Sequence, residues 1–388
     1  MSETQDAIQS AYIKIKIIGV GGGGNNILRR LANDGFDKSQ LLAVNTDVRQ
    51  LKLLDAEGIP ALLIGTAVTR GRGTGGDVKK GQDAAIEDKE AIAQAVAGAD
   101  LVFLTAGMGK GVGTGATPVV AKIAHDMGIL TVGMVTMPFS HEGERKTTTA
   151  QAGVELLRQN MDALVVVNND NIQRLPEFSH ISVGETFLMV DEVLRQSISS
   201  IVEMIETTGY VNVDFADVTT IFRQGRDSEA IMGTSVADNA LQALKEAINS
   251  PLIDTSIKGA RGVIFNITST NKLALEDIAE ANMFLCENTH PDVNNIFGLV
   301  QDPKLEGKVR ATVIATDFDP QVLAEAKSGI APIQFGGGKT ARPATAAPLL
   351  YENQNQPVPA SNEPDIFGFM KRPESAVNRF STDFTKKD

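Results

Sequence analysis

A single cysteine, Cys286, occurs among the 388 residues of the chain. One cysteine excludes an intramolecular disulfide framework, which agrees with a reducing compartment such as the cytosol. We expect Cys286 to act as a small hydrophobic residue buried in the core.

Long apolar runs are also missing. ALVVV at 163–167 and ILTVGMV at 129–135 fall well short of the roughly 18 residues of a membrane-spanning helix. The first ten residues, MSETQDAIQS, are polar and acidic and do not resemble a signal peptide. We therefore expect a cytoplasmic protein with no direct membrane insertion.

Positive charge is in deficit, because 36 Lys and Arg residues stand against 48 Asp and Glu residues and leave a net charge of −12. This balance argues against a nucleic-acid partner. It does not exclude an anionic ligand, because backbone amides bind phosphate whatever the overall charge. The length and ordinary composition predict two folded domains and a tail.

Apolar, β-branched runs alternate with amphipathic stretches through the first half of the chain. The candidate strands are YIKIKIIGV, LLAVNTD, LVFLTAG, ILTVGMVTMPF and ALVVVNND, and the candidate helices include NNILRRLAND (25–34), KKGQDAAIEDKEAIAQAVAGAD (79–100) and TPVVAKIAHDMG (117–128). This alternation predicts an α/β fold with a doubly wound parallel sheet.

The pattern changes in the second half. Residues 185–206 predict one long helix, and residues 237–319 predict a smaller α/β domain. Between 319 and 363, six prolines and no apolar periodicity predict a disordered linker. Residues 364–373 then combine apolar and basic side chains, which is typical of a peptide that binds a partner; a chance cluster is the alternative.

Two glycine-rich stretches each follow a predicted strand and precede a predicted helix. They run from Gly19 to Asn26 and from Gly107 to Gly115. Glycine allows backbone N–H groups at a helix start to approach phosphate closely. One such stretch would also suit an NAD-binding Rossmann fold. Two of them predict a chain of phosphates held from both sides, and TRGRGTGGD at 69–77 could close over the distal phosphate.

Several motifs then follow in a fixed order: GVGGGGNN, AVNTD, TAGMGKGVGTGA, VTMPFSHEG, NND, FLMVDEVLRQ and NVDFADV. Together they closely resemble the FtsZ family, the bacterial tubulin homologues that act as cell-division GTPases. The resemblance covers residues 12–318. It implies an N-terminal lead (1–11), a GTP-binding domain (12–184), a central helix (185–209), a C-terminal activation domain (210–318), a linker (319–363), a partner-binding peptide (364–373) and a tail (374–388).

The resemblance also implies a site for GTP or GDP with Mg²⁺. Thr114 would donate its hydroxyl to phosphate, Phe187 would stack on guanine, and Asp191 would accept the N1 and N2 hydrogens. From spacing alone, Phe187 and Asp191 are one core and one surface residue of a helix. The full set is Gly21, Gly22, Gly23, Asn25, Asn45, Thr74, Gly75, Gly76, Gly107, Gly109, Lys110, Gly111, Val112, Gly113, Thr114, Gly115, Glu142, Lys146, Asn169, Phe187 and Asp191.

Asp214 and Asp217 are the predicted catalytic residues, with Asn212 nearby. Their spacing puts both on one face of a helix start, where the alternative is an N-cap beside a carboxylate favoured by the helix dipole. The resemblance implies that they position water and Mg²⁺ on the γ-phosphate of the subunit below. Hydrolysis would then require a filament. No separate metal-binding residues are predicted.

Four positions depart from the family pattern. The family reads GGGTGTG over residues 109–115, where this chain has Lys110 and Val112. Val112 lacks the hydroxyl of the family's threonine. Lys110 adds a cation, which either reaches phosphate or points to solvent. Lys146 stands in place of a ribose-side arginine and lacks its planar fork. Asp77 adds negative charge to the distal-phosphate segment. These departures bear on the hydrolysis rate rather than on the fold.

Three functions compete. The first is a GTPase that polymerises head-to-tail at the mid-cell division site and binds a membrane-tethering division protein of the FtsA type through residues 364–373. The second is a slow or non-hydrolysing paralogue that binds GTP and serves as a filament scaffold or modulator. The third, an NAD-dependent dehydrogenase, explains only the first glycine stretch.

Overall fold

The computed structural model describes residues 13–174, 182–207, 209–211, 213–225, 229–250, 256–270 and 273–318. The predicted linker, partner-binding peptide and tail lie outside these residues, as does Asn212. The strands are β1 (Ile15–Val20), β2 (Leu41–Asn45), β3 (Ala61–Leu63), β4 (Leu101–Gly107), β5 (Leu130–Met137), β6 (Ala163–Asn168), β7 (Glu229–Ala237), β8 (Ala260–Ser269), β9 (Asn294–Gln301) and β10 (Val309–Phe318).

The helices are α1 (Gly21–Asn33), α2 (Val48–Ala56), α3 (Thr66–Thr69), α4 (Val78–Glu87), α5 (Lys89–Val96), α6 (Gly111–Asp126), α7 (Glu144–Arg158), α8 (Val183–Glu206), α9 (Phe215–Gln224), α10 (Ala240–Ile248) and α11 (Leu275–Glu287). Short 3₁₀ turns cover Lys38–Gln40, Ser140–Glu142, Asn169–Arg174 and Pro303–Leu305. No helix in this part of the chain is long and apolar enough to span a bilayer.

The strands form one sheet in the order β3-β2-β1-β4-β5-β6-β7-β10-β8-β9. From β3 to β6 every neighbouring pair is parallel, as the alternation of strands and helices predicts. Ile17 pairs with Phe103 and Ile18 pairs with Leu104, and all four side chains are fully buried. Burial on both faces is why these strands are continuous apolar runs.

The second half of the sheet is mainly antiparallel, since β10 pairs antiparallel with both β7 and β8. Its last strand, β9, pairs parallel with β8. The two halves join where β6 pairs parallel with β7 over Leu164–Glu229 and Val165–Ala230. The smaller α/β domain of the sequence prediction therefore continues the first sheet.

The long central helix, α8, begins at Val183, two residues before the predicted start at 185. Ser182 explains the difference. Its hydroxyl accepts from the Glu185 N–H at 3.3 Å, and the Glu185 carboxylate accepts from the Ser182 N–H at 2.8 Å. This reciprocal capping box satisfies two N–H groups at the helix start.

Several sequence predictions are corrected by the structure. Both glycine stretches are partly helical, because α1 begins at Gly21 and α6 begins at Gly111 rather than at 25 and 117. The predicted helical stretch over 79–100 breaks at Asp88, whose carboxylate accepts from the Gly65 N–H at 2.6 Å. Cys286 is exposed on α11 rather than buried. Strands β3, β7 and β9 are additional to those predicted.

Candidate functional site

The two glycine stretches meet at the carboxyl edge of the parallel strands. Because β1 and β4 are neighbours, α1 and α6 begin side by side. A Cβ on Gly21 would lie 3.0 Å from the Gly113 nitrogen, and one on Gly23 would lie 3.0 Å from the Gly107 nitrogen. The backbones lie so close that a Cβ at either position would force the neighbouring backbone to move by a few tenths of an ångström.

The first turns of α1 and α6 have free donors. Neither N-cap residue, Val20 or Lys110, makes a side-chain capping hydrogen bond. The leading N–H groups of a helix have no partner within the helix, so they are available to an anion. Two such helix starts beside each other form a cradle suited to phosphate, and we call this the glycine cradle.

Thr114 holds the second glycine stretch together. Its buried hydroxyl oxygen accepts from the Gly109 N–H at 2.8 Å. Gly109 has φ +90°, and a Cβ there would lie 3.0 Å from the Lys146 carbonyl oxygen. The hydroxyl oxygen therefore fixes the loop, and donation of the hydroxyl hydrogen to phosphate stays a prediction.

The segment at 69–77 borders the cradle. A Cβ on Gly111 would overlap the Thr74 hydroxyl, so this segment packs directly on the start of α6. Gly75 and Gly76 are exposed, with φ of +66° and +84° and nothing close to their Cβ positions. Asp77 is exposed and caps α4 by accepting from the Lys80 N–H at 3.2 Å, which uses one of its carboxylate oxygens.

Asn25 and Asn45 support the first turn. With the Asn25 amide oriented to satisfy both of its groups, its nitrogen donates to the Gly19 and Gly21 carbonyl oxygens at 2.8 Å. Its oxygen accepts from the Asn45 nitrogen at 3.2 Å. Both side chains are buried. They are therefore placed to hold the β1–α1 turn in shape.

Glu142 and Lys146 form an ion pair at 3.0 Å beside the cradle. Burial raises the pKa of the Glu142 carboxyl, but hydrogen bonds from Lys146 and the Phe139 N–H outweigh this effect. The charges of Lys146 and Lys110 act in the same direction as the hydrogen bonds, so the pKa lies below its usual value. Lys110 itself is exposed. The carboxylate is therefore held ionised.

Asn169 offers an unused acceptor. It follows β6 at the same edge of the sheet, and its side chain is buried. Its Oδ1 atom has no hydrogen-bond partner among the described residues. Buried polar atoms in folded proteins nearly always have partners, so this oxygen fits a donor supplied by a ligand.

Phe187 and Asp191 lie on α8, near the cradle. Phe187 is 43% exposed and meets Phe139 edge to face, with ring centroids 5.3 Å apart. Asp191 is the more buried of the two, and its Oδ2 lies 3.4 Å from Arg30 Nε. Burial raises the pKa of Asp191 to about 6 despite Arg30. The pair thus consists of one exposed and one mostly buried side chain, and the carboxylate is the buried one.

Asp214 and Asp217 lie elsewhere. Asp214 caps α9, accepting from the Ala216 N–H at 3.2 Å, and Asp217 lies in the first turn. Helix α9 borders a cavity of about 270 Å³ at the amino ends of β4 and β5, and Arg223 donates to the Gly128 carbonyl there at 3.1 Å. The seven residues of β4, at about 3.3 Å each, separate this edge from the glycine cradle by roughly 20 Å.

Val112 belongs to the core, because it is 9% exposed and packs with the apolar side chains between the sheet and α6. A metal site made by protein alone is not present in the described part of the chain, which has no group of three His, Cys, Asp or Glu side chains placed to hold an ion. A cation that arrives with a nucleotide would be held largely by the phosphates.

Comparison with known proteins identifies the family of the chain. The model of the Tubulin/FtsZ family GTPase domain matches residues 14–177, and that of the FtsZ family C-terminal domain matches residues 228–319. An FtsZ dimer from M. jannaschii is 37% identical, with 81% of this chain and 91% of that chain covered and a TM-score of 0.73. The chain belongs to the FtsZ family.

Two further structures are similar to this FtsZ-family chain. A point mutant of the M. jannaschii FtsZ is 36% identical over 81% of this chain and 94% of that chain, with a TM-score of 0.74. CetZ2 from Haloferax volcanii, described as a GTPγS-bound protofilament, is 20% identical over 82% and 97%, with a TM-score of 0.67. The CetZ2 likeness shows the fold alone. Family membership makes this chain a cytoskeletal GTPase that binds guanine nucleotides.

Sequence reasoning missed two side chains that shape the site of this FtsZ-family protein. Phe139 contacts the exposed ring of Phe187, and Arg30 pairs with Asp191. Phe139 lies within the motif VTMPFSHEG, which was a usable signal. Arg30 gave no signal, because its role depends on α1 packing beside α8.

Proposed function

We propose that this chain hydrolyses GTP only within a head-to-tail polymer, where one subunit supplies the glycine cradle and the next supplies Asp214 and Asp217. The separation of these two groups carries the proposal. The cradle lies at the carboxyl edge of the parallel strands, whereas α9 borders the cavity at their amino edge. Neither edge alone has both halves of a hydrolytic site.

Nucleotide binding follows from the cradle and its neighbours. The unpartnered N–H groups of α1 and α6 would hold the phosphates. The exposed ring of Phe187 would stack on the base, and the Asp191 carboxylate would accept hydrogens from the donor edge of guanine. Adenine offers an acceptor at the corresponding position, so an ionised Asp191 selects for guanine. The unused Oδ1 of Asn169 accepts one further donor.

The catalytic step would use Asp214 and Asp217 to orient a water molecule toward the γ-phosphate of the adjoining subunit. Asp214 uses one carboxylate oxygen to cap α9, which fixes the direction of the other. Mg²⁺ bound with GTP would neutralise charge on the phosphates. Asp217, in the first turn of the same helix, adds a second carboxylate favoured by the helix dipole.

The test is phosphate release with GTP and magnesium over a concentration series, with sedimentation in parallel. We expect turnover and pelleting to rise above one shared threshold concentration. Asp214→Ala should pellet with GTP and lose at least about 100-fold in turnover, equivalent to about 2.7 kcal/mol of transition-state stabilisation. Asp37→Ala, which removes another N-cap aspartate, serves as the control. Turnover proportional to protein at every concentration would contradict a shared site.

A slow GTP-binding scaffold remains the second candidate, because Lys110 and Val112 change the cradle. The double variant Lys110→Gly with Val112→Thr separates the two. Under the main proposal its turnover stays within about twofold of the native chain, whereas a scaffold slowed by these residues gains about tenfold or more, about 1.4 kcal/mol. Pelleting of the native chain without turnover would favour the scaffold.

In the cell, we propose that the polymer assembles in the cytoplasm at the mid-cell division site. Residues 364–373 would bind a membrane-tethering division protein of the FtsA type. A fluorescent fusion that lacks 364–373 should polymerise in vitro and fail to form mid-cell rings. Normal rings from the truncated chain would rule out this tether.

A further inference from the structure

Helix α11 presents an apolar row to solvent. Leu275 is 81% exposed and Met283 is 62% exposed, and Ala279 and Cys286 between and beyond them are exposed as well. Their spacing of three or four residues places all four on one side of the helix. The other side packs into the core of the second half of the sheet.

An acidic row runs beside the apolar row. Glu276, Glu280 and Glu287 each follow a member of the apolar row by one position, and all three are exposed. No Lys or Arg occurs within α11. An exposed apolar patch bordered by charge of one sign is characteristic of an interaction surface. We call the two rows the α11 face.

The sequence outside the described residues contains a segment of matching chemistry. Residues 364–373 read PDIFGFMKRP, in which four large apolar side chains precede Lys371 and Arg372. Apolar residues would cover the apolar row, and the two cations would lie against the acidic row. We propose that residues 364–373 dock on the α11 face of the same molecule.

The topology places the two ends within reach. Phe318 pairs with Ala260, so the described chain ends at that edge of the second half-sheet. Helix α11 ends at Glu287. Three residues later, the backbone N–H of His290 donates to the Ala260 carbonyl oxygen at 3.0 Å. The chain therefore leaves the sheet near the carboxyl end of α11.

The connecting length is also sufficient. The linker, residues 319–363, taken as a coil, spans roughly 40 Å root-mean-square. The 13 residues of α11 extend over about 20 Å at 1.5 Å each. The coil is thus only about twice as long as the helix that the peptide must reach. A linker of this length keeps the local concentration of the peptide at α11 high, so a weak contact suffices for docking.

Docking has a consequence for binding in trans. A peptide that lies on α11 is hidden from any other protein, so an external partner must compete with the chain's own helix. The apparent affinity of that partner then falls by the fraction of molecules with a free peptide. This inference stands on α11 and the tail alone and does not depend on the proposed hydrolysis in trans.

Native Cys286 lies in the apolar row and is the only cysteine, which provides the test. The full chain with Gly368→Cys keeps every apolar and basic residue of the peptide. In dilute protein with GDP and oxidised glutathione, we expect an intramolecular disulfide between Cys286 and position 368 to form at least about tenfold faster than the matching disulfide in a Ser381→Cys control. Peptide mass spectrometry identifies both products.

Charge reversal sharpens the result. Lys371→Glu with Arg372→Glu in the Gly368→Cys chain should reduce the rate to that of the Ser381→Cys control, and added Glu276→Lys and Glu280→Lys should restore it. Equal rates for the two cysteine positions would overturn the proposal. Disulfides formed only between isotopically distinct chains would overturn it as well, because the peptide would then dock on another molecule.

Discussion

At the scale of single residues, Asp191 shows how the site trades stability for recognition. Burial raises the pKa of Asp191 to about 6, although Arg30 beside it acts in the opposite direction. The carboxylate is therefore charged at neutral pH in surroundings that favour its neutral form. Guanine would offset this cost by donating two hydrogens to the carboxylate. A group of this kind predicts both a pH profile for binding and a gain in stability on its removal.

Affinity for GDP should therefore fall in mild acid. Only ionised Asp191 accepts from guanine, so the affinity is nearly fully present above about pH 7, is halved near pH 6 and declines further below it. With the pKa of the free protein at about 6, we expect binding about fourfold weaker at pH 5.5 than at pH 7.5. Titration with a fluorescent GDP analogue measures this. Asp191→Asn should bind weakly with no such step, and a native profile that is flat would contradict the assignment.

The free energy of unfolding should change in the opposite sense. Because the folded pKa of Asp191 exceeds its unfolded value of about 3.8, the ionised carboxylate destabilises the folded state at pH above 6, and this penalty disappears below pH 4. Asp191→Asn should therefore raise the nucleotide-free unfolding free energy at pH 7.5 by up to about 3 kcal/mol, with little change at pH 4. Denaturant titration at the two pH values decides; equal stability of both chains at pH 7.5 would show that Asp191 carries no such penalty.

At the scale of elements, the glycine cradle is two helix starts pressed together. Their contact leaves no room for side chains along the facing edges, while positions farther out remain open. A Cβ on Gly113 would lie 2.3 Å from the Gly107 carbonyl oxygen, whereas Gly73 has nothing within 4 Å of its Cβ position. The two glycines thus form a matched pair for mutation.

Gly113→Ala should lower the unfolding free energy by about 1–3 kcal/mol and reduce GTP affinity at least about tenfold, because a backbone carbonyl must move to admit the methyl group. Gly73→Ala should change the stability by less than about 0.5 kcal/mol. Thermal unfolding and nucleotide titration of the two variants check this. Similar losses for both, or none for Gly113→Ala, would mean that the helix starts are less closely packed.

The elements also show what could be predicted from the sequence. Strands β1, β4 and β5 are continuous apolar runs because helices cover both faces, and such runs are easy to recognise. Strand β9, NNIFGLVQ, lies at the sheet edge and is only half-buried, so its pattern is weak. The helical starts at Gly21 and Gly111 were missed because glycine is a poor helix former, and close packing overrides its propensity.

The site divides along similar lines. Glycine stretches and the NVDFADV motif were visible because their spacing is local. Contacts such as Arg30 with Asp191, or Phe139 with Phe187, depend on α1 and the β5 end meeting α8 in space, which no local pattern encodes. The exposure of Cys286 was missed for the same reason, since α11 is apolar on two sides and only one of them is covered.

At the scale of the whole molecule, the two halves of the sheet meet between β6 and β7, where two positions are paired among the described residues. The ion pair of Arg158 with Glu229, at 2.8 Å and largely buried, crosses this junction. We expect Glu229→Gln to lower the unfolding free energy by about 1–2 kcal/mol, because the mostly buried Arg158 exchanges one charged partner for a neutral one and keeps Glu155, 3.5 Å from its Nε. Denaturant titration measures the loss. Exposed Arg49 with Asp47 provides the comparison, where Asp47→Asn should cost less.

Under the proposed function, the placement of the cradle and the aspartates on opposite edges also fixes how many nucleotides in a polymer can be hydrolysed. In a row of n subunits stacked in one direction, the junctions number n − 1, so one terminal subunit always keeps an intact nucleotide. Turnover per subunit then scales as (n − 1)/n and reports the mean length of the row. A population of dimers works at half the rate of long polymers, and the idle end makes the two ends of every row chemically distinct.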